Sequence, residues 1–533
     1  MASAQSEISS VSDPHAHGEI AVKVVPADGR DAAEATERVA QRIRALGDAP
    51  ATYADVNRWS EALTAALRQD GFPLAQVLMT QEDWEASRHG AQVRFTVFPG
   101  RVRAITLKNA SRVDDAHLQR LITRALCGQD SIPEDCLLRS VRLERATQLL
   151  QDMPGVAIEK APQFSPGAGV GDVNVAFDLA SSGKPVQADL VADNKGMPST
   201  GSLRFGVTGS ANNLFGIGDR YALTLMATDD KMWTGALSGS VPLFGSDWRA
   251  TAGFTRQQYS INGLTAITGV ASTSEVGVMF PFARGLDSNI WGTASYVHSR
   301  TTTDLGPVYG AQHNTIDSLR LGVQADNGDR PKYLRANVWS MQAAMNIGHQ
   351  SNDSFANRVT DVAGMYAKWT TNLFGTRAIT SNGNLFVMGR VNAQLANRNL
   401  DPSEKLMIGG PDAVRAYRPD EGSFDDGAVV NLGVIQRVPV ATGHQLQFGA
   451  FTDFAYGRVN HAPWNGWEDG YPGVPGVSND RLLAGYGVSV DWLTPIGATV
   501  SVSVAKPFGF ASSSWVDPGK KPVQYWLSVA WTH

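Results

Sequence analysis

Thr499-Val-Ser-Val-Ser-Val504 alternates a small hydroxylated side chain with a β-branched apolar one at every step. Successive strand residues point to opposite faces, so this run has one apolar face and one polar face. The pattern recurs on both sides of it. Tyr486, Val488, Val490 and Trp492 share one face of the preceding segment, and Tyr525, Leu527, Val529 and Trp531 share one face of the last. A soluble sandwich also alternates. Aromatic ends with a small, polar second face favour the lipid-out, lumen-in pattern of a membrane β-barrel.

Toward the N-terminus about sixteen such segments, each of roughly 9–11 residues, begin near 186, 202, 220, 231, 248, 274, 289, 316, 335, 363, 384, 428, 445, 482, 499 and 523. Eleven of the 13 Trp lie beyond residue 185, where helical periodicity also stops, so 185–533 is expected to be the barrel. An even strand count returns the chain to the side it entered from, which puts both barrel ends on the periplasmic side. One extracellular link, at Asp229-Asp230, is very short. The chain has no run of 18 apolar residues, which excludes a transmembrane helix. A net charge of −5 argues against nucleic acid as the main partner.

The N-terminal third reads as α/β. Residues 1–18 are small and polar and are expected to form a disordered tail; His15 and His17 within it read as solvated rather than metal-binding. A strand over Ile20–Val25, helices over 31–46 and 54–70, and strands near 73–81 and 91–98 give β-α-α-β-β for residues 19–100. Val56, Trp59, Leu63 and Leu67 share one face of the second helix. The same order recurs over 101–184: a strand from Val102, helices over Asp114–Leu126 and Leu137–Met153, then strands near 156–164 and 172–180. Two modules with one element order are an internal repeat. Cys127 and Cys136, the only cysteines, fall between the two helices of the second module. In an oxidising compartment they read as a disulfide, with a pair of buried thiols as the alternative. Two cysteines without a nearby His pair do not make a zinc site, and no metal is expected.

The longest gap between strand segments, about 395–427, holds Leu406-Met-Ile-Gly-Gly-Pro-Asp-Ala-Val-Arg-Ala-Tyr-Arg-Pro-Asp-Glu421. It combines an apolar anchor, a Gly409-Gly410 turn, Arg415 and an acidic run of Asp420, Glu421, Asp425 and Asp426. Its apolar content suggests a loop packed against something; the alternative is an exposed acidic loop. On the strand that follows, Leu446, Phe448 and Ala450 face one way, and Gln447, Gly449, Phe451 and Asp453 the other. If the apolar set meets lipid, Asp453 faces the lumen, where a carboxylate wants a cation and Arg offers a two-pronged match.

These residues make the chain similar to the outer-membrane transporters of two-partner secretion (the TpsB family of hemolysin and hemagglutinin secretion/activation proteins). The resemblance spans nearly the whole chain. Gly71-Phe-Pro-Leu-Ala75 and Asp152-Met-Pro-Gly-Val156 resemble marks of the family's periplasmic POTRA modules. Asp193-Asn-Lys-Gly196 and Asn213-Leu-Phe-Gly-Ile-Gly-Asp219 resemble segments flanking its first barrel strands. Gly409, Gly410, Val414, Arg415, Ala416 and Tyr417 resemble its loop-six motif, usually Val-Arg-Gly-Tyr/Phe, and Phe451-Thr452-Asp453 resembles the barrel-wall Phe-x-Asp that receives the loop's Arg. The resemblance implies two POTRA modules (β-α-α-β-β), at 19–100 and 101–184, and a 16-stranded antiparallel transmembrane β-barrel with loop 395–427 folded into the lumen. It implies a monomeric, cofactor-free translocase set in outer-membrane lipid, secreting a large unfolded TpsA-like partner, with POTRA edge strands capturing extended substrate.

Ala416 departs from the usual Gly. The family's pore-plugging N-terminal helix has no counterpart in the 18 residues before the first strand, and no signal peptide is evident. The last residue is His533 rather than an aromatic. The segment 461–480, with Trp464, Trp467 and Tyr471, reads as a long loop without an assigned role. The rival readings are a barrel-assembly insertase, which would have more POTRA modules, and a passive channel, which would have none. An enzyme is not expected: Gly235-Ala-Leu-Ser-Gly239 has the wrong spacing for a nucleophile elbow, and Gly167–Gly171 precedes no helix.

Overall fold

The computed structural model describes residues 9–11, 20–25, 29–46, 50, 52–89, 91–243, 246–261, 267–306, 310–328, 337–351, 360–470, 474, 477–516 and 522–532. His15, His17, Tyr471 and His533 lie outside them. The chain forms two compact units whose main division falls between Gly183 and Lys184.

The first unit contains two α/β modules. One comprises β1 (Ser9–Val11), β2 (Ile20–Val24), α1 (Arg30–Leu46), α2 (Tyr53–Gln69), β3 (Gln76–Leu78), α3 (Gln81–Arg88) and β4 (Val93–Phe98), with sheet order β1-β2-β4-β3. Helices α1 and α2 bury Ala35, Val39, Val56, Leu63 and Leu67 against Val22, Phe95 and Val97, and Trp59 stacks on Phe95 with ring centroids 6.1 Å apart. The second module is β5 (Arg101–Asn109), α4 (Asp115–Cys127), α5 (Ser140–Gln151), β6 (Val156–Pro166) and β7 (Asp172–Ser181), with sheet order β5-β7-β6. Its β5 and β7 run parallel, as do β2 and β4 in the first, so both modules place their helical crossover between parallel strands.

The first module adds two elements to the expected β-α-α-β-β order. Part of the tail expected to be disordered is a strand: Ser9–Val11 pairs antiparallel with Ile20–Val22. Of the strand expected over 73–81, only Gln76–Leu78 is extended, and residues 81–88 are the helix α3. Its start is written in Thr80-Gln-Glu-Asp83: the Thr80 hydroxyl accepts from the Asp83 amide at 3.1 Å, an N-cap. Cys127 and Cys136 are joined, closing the link between α4 and α5, with Cys136 in the module core.

The second unit is a closed barrel of sixteen antiparallel strands among the described residues. They are β8 (Val186–Asp193), β9 (Arg204–Asn212), β10 (Arg220–Thr228), β11 (Trp233–Pro242), β12 (Arg249–Ile261), β13 (Ile267–Arg284), β14 (Asn289–Asp304), β15 (Ala311–Asp326), β16 (Val338–Gln350), β17 (Gly364–Ala378) and β18 (Leu385–Ala396). After a small hairpin, β19 (Leu406–Met407) and β20 (Ser423–Phe424), come β21 (Asp426–Ala441), β22 (His444–Arg458), β23 (Asp480–Leu493), β24 (Ala498–Pro507) and β25 (Gln524–Thr532). Phe448, Tyr486, Val488, Tyr525 and Leu527 are all exposed on the outer face, opposite the buried Phe451 and Asp453. The strands are not uniformly 9–11 residues long: β13 has 18 and β14 and β15 have 16 each. They continue past the apolar band on the extracellular side, where cross-strand pairing still satisfies the backbone while side chains turn polar. That is why β13 and β15 start earlier, at 267 and 311, than the apolar pattern suggested.

The ring closes between β25 and β8 over Ser528↔Asp193 to Thr532↔Asp189, a shorter ladder than at any other junction. One side chain lengthens it. The Asn194 amide donates to the Tyr525 carbonyl (2.9 Å), and its oxygen accepts from the Leu527 amide (2.7 Å), standing in for a missing strand residue. Beside it, Asp193 holds Arg204 of β9 at 2.8 and 3.0 Å.

The short loop closed by Cys127–Cys136 sets a testable stability. Replacing both cysteines by Ser should destabilise the N-terminal unit by about 2–3 kcal/mol. Limited proteolysis of the full chain should then cut within residues 101–183 first, while the barrel stays intact. Thiol labelling of unreduced wild-type protein from the cell envelope should find no free cysteine.

Candidate functional site

Between β18 and β21 the chain doubles back as a hairpin whose tip is residues 408–422. Leu406↔Phe424 and Met407↔Ser423 form its stem. The tip is tightly wound: the Val414 amide donates to the Ile408 carbonyl (3.1 Å), Gly410 to the Tyr417 carbonyl (2.9 Å) and Tyr417 to the Val414 carbonyl (3.0 Å). This winding requires both glycines of the Gly-Gly turn. A side chain at Gly409 would collide with the Arg418 carbonyl, and Gly410 has φ +97°, a conformation costly for other residues.

The tip packs on the inward side chains of β21–β24. Ile408, Val414, Ala416, Tyr417 and Phe424 are buried together with Val429, Phe451, Ala455, Leu483 and Ala505. The Tyr417 hydroxyl donates to the Ser512 carbonyl at 2.8 Å. Ala416 is absent from the positive-φ residues, so its backbone does not need Gly; the room for its methyl comes from Gly485 of β23, where any side chain would strike it.

Arg415 meets Asp453 of β22. Its Nε and Nη2 donate to the two carboxylate oxygens at 2.8 and 2.7 Å, and its own backbone amide donates to Oδ2 at 3.1 Å. The Asp453 side chain is 1 % exposed and that of Arg415 16 %. The register neighbour of Asp453, Asn431 on β21, donates to the carboxylate at 2.9 Å and to the Ala413 carbonyl at 2.7 Å. The guanidinium carbon lies 3.3 Å from the centroid of the Phe451 ring, and Trp526 of β25 donates to the Arg415 carbonyl at 2.9 Å. The structure thus gathers Gly409, Gly410, Val414, Arg415, Ala416, Tyr417, Phe451 and Asp453 in one place. Cys127 and Cys136 belong to the other unit.

A second ion pair was not anticipated from sequence. Glu421, at the end of the tip, accepts from Arg481 of β23 at 2.8 Å, from the Ser514 hydroxyl at 2.6 Å and from the Trp515 amide at 2.7 Å. Both side chains are sealed, Arg481 at 2 % and Glu421 at 0 % exposure, and Arg481 lies 3.8 Å over the Trp515 ring. The neighbouring acids are also engaged: Asp425 with Lys405 (3.3 Å), Asp426 with Arg458 (2.8 Å) and Asp420 with Arg418 (2.7 Å). The exposed-acidic-loop alternative is therefore overturned, since Glu421 and Asp425 are fully buried. The available signal was Arg481 itself, a lone cation placed by strand parity on the inward face with Gly485 and Gly487.

The wall of β12–β18 is covered only in part, by the segment before the tip: Asp401 accepts from Asn314, and Glu404 from Tyr366 and Lys368. It borders a cavity of about 610 Å³ lined by the amides of Gln324, Gln342, Asn346, Asn372, Asn392 and Gln394 together with the charged Glu275, Arg320 and Lys368.

Residues 171–478 match the family model of haemolysin secretion/activation proteins ShlB/FhaC/HecB. The chain belongs to this family. It is similar to the heme/hemopexin transporter protein HuxB of Haemophilus influenzae (strain 86-028NP), with 22 % identity over 504 residues, covering 93 % of this chain and 84 % of that one. Among solved structures, CdiB from Escherichia coli matches with TM-score 0.70 at 16 % identity, covering 100 % of this chain and 92 % of that one. BamA from Haemophilus ducreyi lacking POTRA domains 1–3 matches with TM-score 0.53 at 14 % identity, covering 98 % and 100 %. Family and fold together make this a two-partner secretion transporter: POTRA modules in the periplasm, a barrel in the Gram-negative outer membrane, and a secreted partner protein.

The Arg481–Glu421 pair should differ sharply from the Arg418–Asp420 pair. Glu421→Gln leaves the Arg481 charge buried without its counter-ion, a loss of about 3–5 kcal/mol. Arg418→Gln breaks a partly exposed pair with Asp420 and should cost under about 1 kcal/mol. With a cysteine at exposed Asp412, labelling in outer-membrane preparations should accelerate strongly for the first variant and little for the second.

Proposed function

We propose that the hairpin tip, pinned through Arg415 to Asp453, is the element that shapes the secretion pore, and that the protein works without catalysis as a monomeric barrel in outer-membrane lipid. The carrying observation is the two-pronged Arg415–Asp453 pair, whose carboxylate is withdrawn from solvent and backed by Asn431. Two charges kept at the edge of a wet lumen need a positioning reason, because an apolar contact of the same shape would hold the tip as well. On this reading the tip blocks one wall and leaves the polar cavity along β12–β18 for the passenger. Amides and hydroxyls offer hydrogen bonds to any extended chain and prefer no sequence. The modules at 19–100 and 101–184 would take up the unfolded, TpsA-like passenger by adding it to a sheet edge. The barrel would be 185–533, with 395–427 inside it. Folding of the passenger outside the cell would drive transport, as the resemblance to two-partner secretion transporters implies.

A double-mutant cycle tests this role. Arg415→Ala and Asp453→Ala should each cripple secretion while a folded barrel accumulates in the membrane. The double variant should be no worse than either single, a strong non-additivity. Arg415→Lys should restore secretion only in part, because an ammonium lacks the planar fork. Additive losses in secreted passenger would show that the two residues act separately.

A further inference from the structure

The outward face of β12–β16 changes character over a few residues. Val276, Tyr296, Leu319 and Ile347 form one cross-strand row, all exposed and apolar or aromatic, as befits a surface against lipid. Two residues farther toward the extracellular ends the row is Phe254, Ser274, His298, Asp317 and His349, aromatic on β12 and polar from β13 on. Two residues beyond that it is Arg256, Ser272, Arg300 and Thr315, and the next contains Thr302 and His313. Directly paired residues share a face, so these rows continue the lipid-facing surface. The acid within them, Asp317, is taken up by His298 at 2.7 Å and by the Tyr296 hydroxyl. Asp304, at the strand end, accepts from the Gly306 amide. Arg256 and Arg300 are exposed and make no ion pair among the described residues.

A guanidinium facing lipid is costly at mid-bilayer and nearly free at the interface, so this row marks the headgroup level of the outer leaflet. Two strand spacings separate Arg256 from Arg300, about 10 Å, with the Ser272 hydroxyl between them. That is a gap one phosphate can fill while each guanidinium donates to it in two-pronged fashion. We propose that Arg256, Ser272 and Arg300 form a binding site for a phosphorylated headgroup of an outer-leaflet lipid, flanked by His298, His313 and His349. The apolar row below the site receives the acyl chains of the same molecule, which favours a membrane lipid over a soluble anion.

The test uses the full-length protein in detergent, with bisphosphorylated lipid A and its dephosphorylated counterpart as probes and native mass spectrometry as readout. The wild type should prefer the phosphorylated form, and added salt should weaken that preference. Arg256→Gln with Arg300→Gln should weaken binding of the phosphorylated form about thirty-fold. The corresponding Lys pair should keep only part of it, the share due to charge alone, because an ammonium lacks the planar fork. Arg377→Gln, on the same outward face but at the opposite end of β17, should change nothing. Equal binding of the two lipids by the wild type overturns the proposal, as does full binding by the Gln pair. Inorganic phosphate that displaces the lipid at equal phosphate concentration would also overturn it, by showing a free-anion site. If the Gln pair does not fold, the wild-type preference and its salt dependence decide.

Discussion

Inside a bilayer an unpaired strand edge leaves a row of amides and carbonyls with nothing to bond to, and each is too costly to leave bare. Closing the sheet on itself removes both edges, and everything else in the C-terminal unit depends on that closure. Here it rests on the short β25–β8 ladder, lengthened by the Asn194 amide that copies a backbone donor and acceptor. Closure also separates the two strand faces completely. The outer face must be apolar, and the inner face is free to carry Asp453, Asn431 and Arg481.

The inner face makes use of that freedom unevenly. On β21–β24 it receives the hairpin tip, whose apolar residues fill the wall while two ion pairs fix its middle, at Arg415, and its end, at Glu421. Arg415 reaches from the tip to the wall, whereas Arg481 reaches from the wall to the tip. Opposed polarities of this kind define one seating: sliding the tip along the wall would separate both pairs at once. The backbone amide of Arg415, bonded to the same carboxylate, further ties the position of the loop to that of its side chain.

Period-two patterning made the barrel legible because one face meets lipid and the other water, so strand starts were placed closely from Val186 to Gln524. It faltered where lipid stops: β13 and β15 continue beyond the apolar band, and their extra residues look like loop. The Arg415–Asp453 pair could be anticipated from motif and parity. Arg481–Glu421 was not anticipated: strand parity places Arg481 on the inward face, but no motif links it to one acid of the run Asp420, Glu421, Asp425 and Asp426. In the first module the strand expected over 73–81 is extended only at Gln76–Leu78, and helix α3 lies in the stretch left between two expected strands. The hydrophobic signal of α3 is weak, since none of its residues is buried, and only the Thr80 cap announced it.

The contact between Ala416 and Gly485 has an evolutionary consequence. The space at this point holds one methyl, and it is supplied from the hairpin rather than from the strand. A lineage that placed alanine on β23 would have to give up the methyl on the loop, so the two positions cannot both carry one. The small-residue slot in such a motif is therefore a property of two chain segments facing each other, and a scan of the loop alone would misjudge which substitutions it tolerates.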